Sequence, residues 1–99
     1  MNIILEGFEN LKDIVNQYQS NNLEELGKCS DIYATYECSY YEGTSYVLYI
    51  LDGKLFEVNG AHCSCYGLEG QWEPEETKKE AILMRVGLDI KLIDFLEKI

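Results

Sequence analysis

The chain has 99 residues, enough for one small domain, and 46% of them are hydrophobic, as in proteins that fold around a core. Its formal net charge of -10 argues against direct binding of DNA or RNA, because phosphate contacts need Lys and Arg. No apolar run approaches the ~20 residues of a membrane span, and the first residues lack the basic start of a secretory signal. We therefore expect one cytoplasmic domain over residues 1–99, with its four cysteines reduced.

The charge is unevenly distributed along the chain. Residues 1–77 hold 14 Asp and Glu against three Lys, whereas residues 78–99 hold four acidic and five basic residues. An acidic body with a near-neutral C-terminal segment favours attraction to a basic partner surface. The alternative is that the negative charge serves solubility.

The first part of the chain has helical periodicity. Apolar residues recur at spacings of four and three, which predicts a helix over residues 3–19. These residues are Ile4, Phe8, Leu11, Val15 and Tyr18. Gly7 weakens the first turn of this helix. Ser20 and the two Asn after it end the helix, and Gly27 closes a short helical turn over residues 23–26.

From Cys29 the period changes to two, which is typical of strands with one buried face. We predict four strands, at residues 32–40, 44–51, 54–59 and 61–66. The predicted turns are Glu42-Gly43, Asn59-Gly60 and Asp52-Gly53, the last a strong hairpin signal. A meander is the simplest way to connect these strands into an antiparallel sheet.

The last part of the chain returns to a helical period. Pro74, followed by Glu75 and Glu76, favours a helix start, because Pro is tolerated at the first position and carboxylates stabilise that end. Helical spacing continues to Ile99, and Gly87 either divides this stretch into two helices or kinks a single one. Together the elements predict an α+β domain. It has an N-terminal helix, a four-stranded antiparallel sheet and one or two C-terminal helices, with the helices on one face of the sheet.

Residues 60–76 concentrate rare residue types: the only His, Trp and Pro, and two of the four Cys. Cys63 and Cys65, two apart on a strand, would point to the same face. Cys29 or Cys38 could add the further thiolates that tetrahedral zinc accepts. Against zinc, the spacing is Cys-x-Cys rather than Cys-x2-Cys, and reduced thiols commonly pack as small hydrophobes. We therefore expect no metal or other cofactor, with a zinc-stabilised domain as the alternative.

No catalytic signature stands out in the sequence. His62 and Cys63 would diverge on a regular strand, and no Asp or Asn is placed to orient the imidazole. Gly67 and Gly70 match no phosphate-binding loop pattern. We therefore expect a binding protein rather than an enzyme, with a small-molecule or nucleotide-binding protein as a further alternative.

Tyrosines and carboxylates cluster around the first predicted hairpin. If the helices cover one face of the sheet, some of the tyrosines face solvent, where rings offer apolar area and carboxylates pair with Lys and Arg. Trp72 serves either as an exposed anchor or as core packing. The predicted partner-binding residues are Asp31, Tyr33, Glu37, Tyr41, Glu42, Glu69, Trp72 and Glu73.

The segment His-Cys-Ser-Cys-Tyr-Gly-Leu-Glu-Gly-Gln-Trp-Glu-Pro-Glu-Glu, which begins at His62, resembles one found in small proteins of bacteriophages and prophages. Small acidic phage proteins often look like anti-defence factors, anti-CRISPR proteins among them, and several such inhibitors place carboxylates where phosphates would bind. The resemblance implies an inhibitor of a bacterial host defence protein, bound at a basic nucleic-acid groove in the host cytoplasm. Such a protein would be a monomer or a small homo-oligomer.

Overall fold

The structure, a computed structural model, describes residues 2–19, 26–39, 42–63 and 67–99 of the chain. These form β1 (Asn2–Glu6), α1 (Leu11–Tyr18), β2 (Asp31–Ser39), β3 (Glu42–Leu51), β4 (Lys54–His62), β5 (Glu75–Thr77), α2 (Lys79–Leu83) and α3 (Ile90–Lys98). Tyr41, Cys65 and most of the predicted turn at residues 23–26 lie outside the described ranges.

The strands form one sheet in the order β1-β2-β3-β4-β5. Strand β1 is parallel to β2, and the other neighbours are antiparallel. The predicted α+β class is therefore confirmed. The predicted four-stranded antiparallel sheet is matched only in part. The third predicted strand and the first residues of the fourth form one strand, β4, and β1 and β5 each add a strand at an edge, so the sheet is mixed and has five strands.

The N-terminal segment, predicted as a helix over residues 3–19, is a strand followed by a shorter helix. Gly7 separates the two: its φ is +86°, and a Cβ on it would lie 2.0 Å from the carbonyl oxygen of Tyr36. Helix α1 starts where the Asn10 side chain accepts a hydrogen bond from the Asp13 N–H at 2.8 Å. The first half of the helix prediction is wrong because the apolar run in β1 also suits a strand, and there it gains pairing with β2.

The hairpin between β3 and β4 is the one that the sequence predicts. Asp52 and Gly53 both have positive φ, 53° and 76°, as a two-residue type I′ turn requires. The other predicted turns are wrong. Glu42 and Gly43 are strand residues, paired with Ser39 and Cys38.

Strand β4 runs through the predicted Asn59-Gly60 turn without a break. It stays in register with β3 as far as His62, so residues 61 and 62 of the predicted fourth strand belong to β4. Gly60 suits this continuous strand because a side chain there would meet the Tyr18 hydroxyl at 2.8 Å. The glycine signal therefore reflects close packing with α1 rather than a turn.

The segment after Pro74 is a strand rather than the predicted helix start. Residues Glu75–Thr77 pair with residues 55–57 of β4, because the outer edge of β4 offers peptide groups that a neighbouring strand satisfies. The helical part begins later, at Lys79. Gly87, with φ of +77°, separates α2 from α3, which confirms the division into two helices. Within the described ranges, no helix is long and apolar enough to cross a bilayer.

Helices cover both faces of the sheet, which corrects the prediction that they share one face. On one side, α1 and the Trp72 segment cover a cluster to which α1 contributes Ile14 and Tyr18. The sheet contributes Ile32, Ala34, Val47, Tyr49 and Val58. On the other side, α2 and α3 cover Tyr33 and Leu48 of the sheet. The helices contribute Ile82, Leu92, Phe95 and Leu96 to this cluster. The sheet therefore lies between two helical layers, and consecutive residues of β2 are buried on alternate faces.

Candidate functional site

The described tyrosines of the first hairpin are not displayed to solvent as predicted. Tyr33 is only 2% exposed, and its ring lies 5.8 Å from that of Phe95. Burial first, and then the charges of Asp89 and Glu6, raise the pKa of Tyr33 to about 12. Tyr49 is fully buried on the opposite face. Tyr33 therefore lies under the layer that α3 forms and is not on the exposed surface that its prediction as a partner contact assumed.

Trp72 packs into the protein rather than standing out from it. Its indole stacks on Tyr49 at 6.0 Å with an interplanar angle of 9°, and it meets the Tyr18 ring edge-on at 5.2 Å. The residue is half-buried and joins the cluster under α1. Of the two alternatives for Trp72, the structure supports packing.

The predicted carboxylates lie at different places on the molecule. Glu37 and Glu42 are exposed on β2 and β3, and Glu69 and Glu73 are exposed in the segment before β5. Asp31 begins β2, at the other end of that strand from Glu37, and is half-buried. Among the predicted carboxylates in the described ranges, Glu37 and Glu42 lie on the strands at one end of the sheet.

That end of the sheet is open on the side of α2 and α3. Alternate residues of a strand share a face, so the face that buries Tyr33 and Leu48 extends to this end of the sheet. Here the residues on that face are small or polar, and they lie beyond the helices. We call this surface the open face, and it comprises Thr35, Glu37, Ser39, Glu42, Thr44, Asn59 and Ala61. The register sets Glu37 beside Thr44 and Thr44 beside Ala61, with Thr35 and Asn59 flanking Tyr46 in the next row.

A shallow depression of about 550 Å3 runs across the open face, lined in part by Thr35, Thr44, Asn59 and Ala61. The chain between α2 and α3 forms its wall. Arg85 and Asp89 there line a smaller cavity of about 260 Å3, together with Thr35, Tyr46 and Asn59. The open face is therefore a bounded surface, with a protein wall on the side of the helices.

A partly buried ion pair, which has no signature in the sequence, fixes that wall. Arg85 donates two hydrogen bonds to the carboxylate of Glu57, at 2.7 and 2.8 Å, and the Tyr46 hydroxyl donates a third at 2.8 Å. The Arg85 guanidinium holds the pKa of Glu57 below its ordinary value, although burial alone would raise it. Burial and the adjacent carboxylate raise the pKa of Tyr46, which keeps its hydroxyl a donor.

We expect Arg85→Met to lower the free energy of unfolding by ~1–3 kcal/mol at neutral pH, because it leaves the Glu57 carboxylate buried without its cation. The arginine side chain is 42% exposed, so the loss stays below that of a fully buried pair. A depressed carboxyl pKa stabilises the fold above the ordinary value of 4.5, and this contribution disappears as the pH falls through the folded-state pKa. The free energies of unfolding of the wild type and of Arg85→Met, measured by denaturant titration, should therefore become equal as the pH is lowered.

The matched control is Lys98→Met, which removes an exposed pair with Asp94 in α3. We expect it to change stability by less than ~0.5 kcal/mol. If the difference in free energy of unfolding between wild type and Arg85→Met stayed constant from neutral to acidic pH, it would contradict the role assigned to the Glu57 charge.

The single histidine is held by hydrogen bonds on both ring nitrogens. His62 Nδ1 lies 3.2 Å from the carbonyl of Cys63, and Nε2 lies 2.6 Å from the Tyr36 hydroxyl. A carbonyl only accepts, so Nδ1 is the donor to Cys63, and the Tyr36 hydroxyl can donate to an Nε2 that carries no proton. Gly43 between them makes this possible, since a Cβ there would lie 2.3 Å from Nε2. The ring therefore bridges β2 and β4 across β3.

The zinc alternative gains no support from the part of the chain that the structure describes. There, no three His, Cys, Asp or Glu side chains come close enough together to hold a metal ion. Cys63 and Cys38 are exposed, Cys29 is buried in the cluster under α1, and Cys65 lies outside the described residues. Binding zinc through His62 would also break one of the two hydrogen bonds of its ring.

Gln71 explains part of the unusual composition of residues 60–76. Its side-chain amide accepts from the N–H of Ala61 and donates to the carbonyl of the same residue, both at 2.8 Å, and also donates to the Gly67 carbonyl at 3.2 Å. The amide thus pairs with the outer edge of β4 as a neighbouring strand would. It does so at Ala61, past the residues of β4 that pair with β5. Gln71 and Trp72 together attach this segment to the sheet.

We expect Gln71→Ala to lower the free energy of unfolding by ~1–2 kcal/mol, because the N–H and the carbonyl of Ala61 both lose their hydrogen-bond partner at the sheet edge. Amide hydrogen exchange measured by NMR should become faster at Ala61. Gln17→Ala is the control, since the Gln17 amide makes one long exposed hydrogen bond, 3.4 Å to Asp13. Unchanged exchange at Ala61 in Gln71→Ala would contradict the pairing.

Comparisons with protein-family models, curated proteins and solved structures gave no match to this chain. The function is therefore inferred from the residues of the site themselves. Among the predicted site residues, the structure brings together Glu37 and Glu42 on the open face and assigns Tyr33 and Trp72 to packing.

Proposed function

We propose that the protein is a non-enzymatic inhibitor that binds a basic protein surface through its open face. The observation that supports this most strongly is the end of the sheet that the helices leave uncovered, where Glu37 and Glu42 are exposed. The described residues of the open face include no Lys, Arg or His, and the basic side chains of Arg85 and His62 lie at its margins. Thr44 lies beside Glu37, and Asn59 lies in the next row of the open face. In a chain with net charge -10, this surface is suited to a cationic partner.

The chemistry of binding follows from these groups. Carboxylates accept charge-assisted hydrogen bonds from Arg and Lys, which are shorter and stronger than neutral ones. Threonine and asparagine side chains add donors and acceptors that orient the partner. Because Glu37 and Glu42 are exposed to water before binding, the interaction weakens as salt concentration rises.

The partner that we propose is a bacterial host defence protein with a nucleic-acid groove. A basic groove that holds phosphates presents the Lys and Arg that the open face would engage. The likeness of the segment beginning at His62 to phage proteins favours such a target over other cationic proteins. The inhibitor would then occupy the groove in place of nucleic acid, in the bacterial cytoplasm.

The test is capture followed by competition. The tagged protein is incubated with lysate of a bacterial host, treated with nuclease, at low and moderate salt, and the recovered proteins are purified individually. We expect one of them to bind a labelled oligonucleotide and to release it when this protein is added. Failure to recover a nucleic-acid-binding protein at either salt concentration, or a recovered one whose oligonucleotide is not displaced, would refute the proposal.

A further inference from the structure

Three of the eight basic residues surround one cavity at the end of the sheet opposite the open face. Lys54 follows the Asp52-Gly53 hairpin, Lys78 lies between β5 and α2, and Lys79 is the first residue of α2. All three line a cavity of about 510 Å3, within the ~300–1,000 Å3 typical of sites for small ligands. We call it the lysine cavity.

The lining of the lysine cavity is apolar as well as charged. Ile50 and Leu55 contribute from β3 and β4, and Ile99 contributes from the end of α3. All three are half-buried, so their side chains remain open on the cavity side. A ligand with a small apolar body would remove this surface from water, which favours binding.

The lysines of the cavity have no carboxylate partner in the described part of the chain. Arg85, Lys91 and Lys98 each form an ion pair there, with Glu57, Glu6 and Asp94 respectively. No such pair joins Lys54, Lys78 or Lys79 to a described carboxylate. Sites for small ligands are mostly apolar with a few polar or charged groups that orient the ligand, and ammonium groups attract an anionic head group.

Two glutamates limit the charge of that anion. Glu76 and Glu80 also line the cavity, so the charged side chains of its lining, three lysines and two glutamates, sum to a formal charge of +1. A monoanion balances this excess, whereas a polyanion meets repulsion from both carboxylates. The cavity therefore differs from a phosphate-rich nucleotide site in both charge and lining.

We propose that the lysine cavity binds an amphipathic monoanion, a carboxylate with a short apolar chain. This site is separate from the open face and does not depend on the proposed inhibitory function. The carboxylate lies among Lys54, Lys78 and Lys79, and the apolar chain contacts Ile50, Leu55 and Ile99.

Isothermal titration calorimetry with octanoate tests the proposal, with 1-octanol and acetate as probes that each lack one half of the ligand. We expect saturable octanoate binding with a dissociation constant below ~1 mM, and binding at least ~10-fold weaker for the other two. Absence of saturable octanoate binding would overturn the proposal. If 1-octanol bound as tightly as octanoate, the cavity would recognise only the apolar chain. If acetate bound as tightly, it would recognise only the charge. Either result would also overturn the proposal.

A double variant, Lys54→Gln with Lys79→Gln, should weaken octanoate binding at least ~10-fold. Its matched control is Lys12→Gln with Lys28→Gln, which removes the same charge from exposed positions that do not line the cavity. Circular dichroism verifies that both variants are folded. Equal octanoate affinity in the two variants would refute the assignment of the lysines.

Discussion

Replacing Phe95 by Ala should lower the free energy of unfolding by ~3–5 kcal/mol, one of the two largest effects that we expect. The ring is fully buried in the cluster between the sheet and α3, and it packs against Tyr33. Its removal leaves a cavity that neighbouring side chains refill only in part. A loss of this size is a large share of the stability of a small domain.

Ile90→Ala is the matched control for this substitution, because Ile90 lies in the same helix but is 79% exposed. We expect it to change stability by no more than ~0.5 kcal/mol. Urea denaturation followed by circular dichroism measures both variants. A loss below ~1 kcal/mol for Phe95→Ala would contradict the placement of α3 as a layer over the sheet.

The second large effect concerns binding. Reversal of both charges on the open face, Glu37→Lys with Glu42→Lys, should weaken partner binding at least ~10-fold, because like charges would then meet across the interface. Folding should remain intact, since both side chains are exposed. Affinity for the captured nucleic-acid-binding protein, measured by calorimetry at two salt concentrations, provides the result.

Glu80→Lys with Glu97→Lys is the control for charge alone. Both residues are exposed on the C-terminal helices, and each double reversal adds four charges, from -10 to -6. We expect the control to weaken binding less than the open-face variant does. If the two variants lose affinity equally, the attraction comes from overall charge, and the open face is not the binding surface.

Sequence patterns that depend only on residues close together along the chain predicted part of this fold correctly. Asp52-Gly53 gives the observed hairpin because both residues adopt positive φ, and Gly87 divides the C-terminal helices for the same backbone reason. Period-two alternation located the central strands. These features are set by local backbone geometry, so a single sequence is enough to find them.

Elements that depend on distant pairing were not predictable in this way. The segment before Gly7 has a helical spacing of apolar residues, yet it becomes β1 because β2 offers a parallel neighbour. Pro74 and the glutamates after it have helical character, yet residues 75–77 pair with the edge of β4. In both cases tertiary hydrogen bonding outweighs local preference.

The candidate site was predictable to the same partial extent. Glu37 and Glu42 are exposed as predicted, because charged side chains rarely stay buried without partners. Tyr33 was assigned to the surface wrongly, since burial on β2 depends on a helical layer that α3 supplies from the other end of the chain. The Glu57–Arg85 pair joins residues 28 positions apart and has no local signature.

The central claim is that the uncovered end of the sheet is the surface that binds a cationic protein. NMR mapping of backbone amides, with the purified captured partner added to isotope-labelled protein, tests it most directly. We expect the largest shifts at Thr35, Glu37, Thr44, Asn59 and Ala61. Shifts confined to residues 78–99 or to β1, with these five amides unchanged, would contradict it.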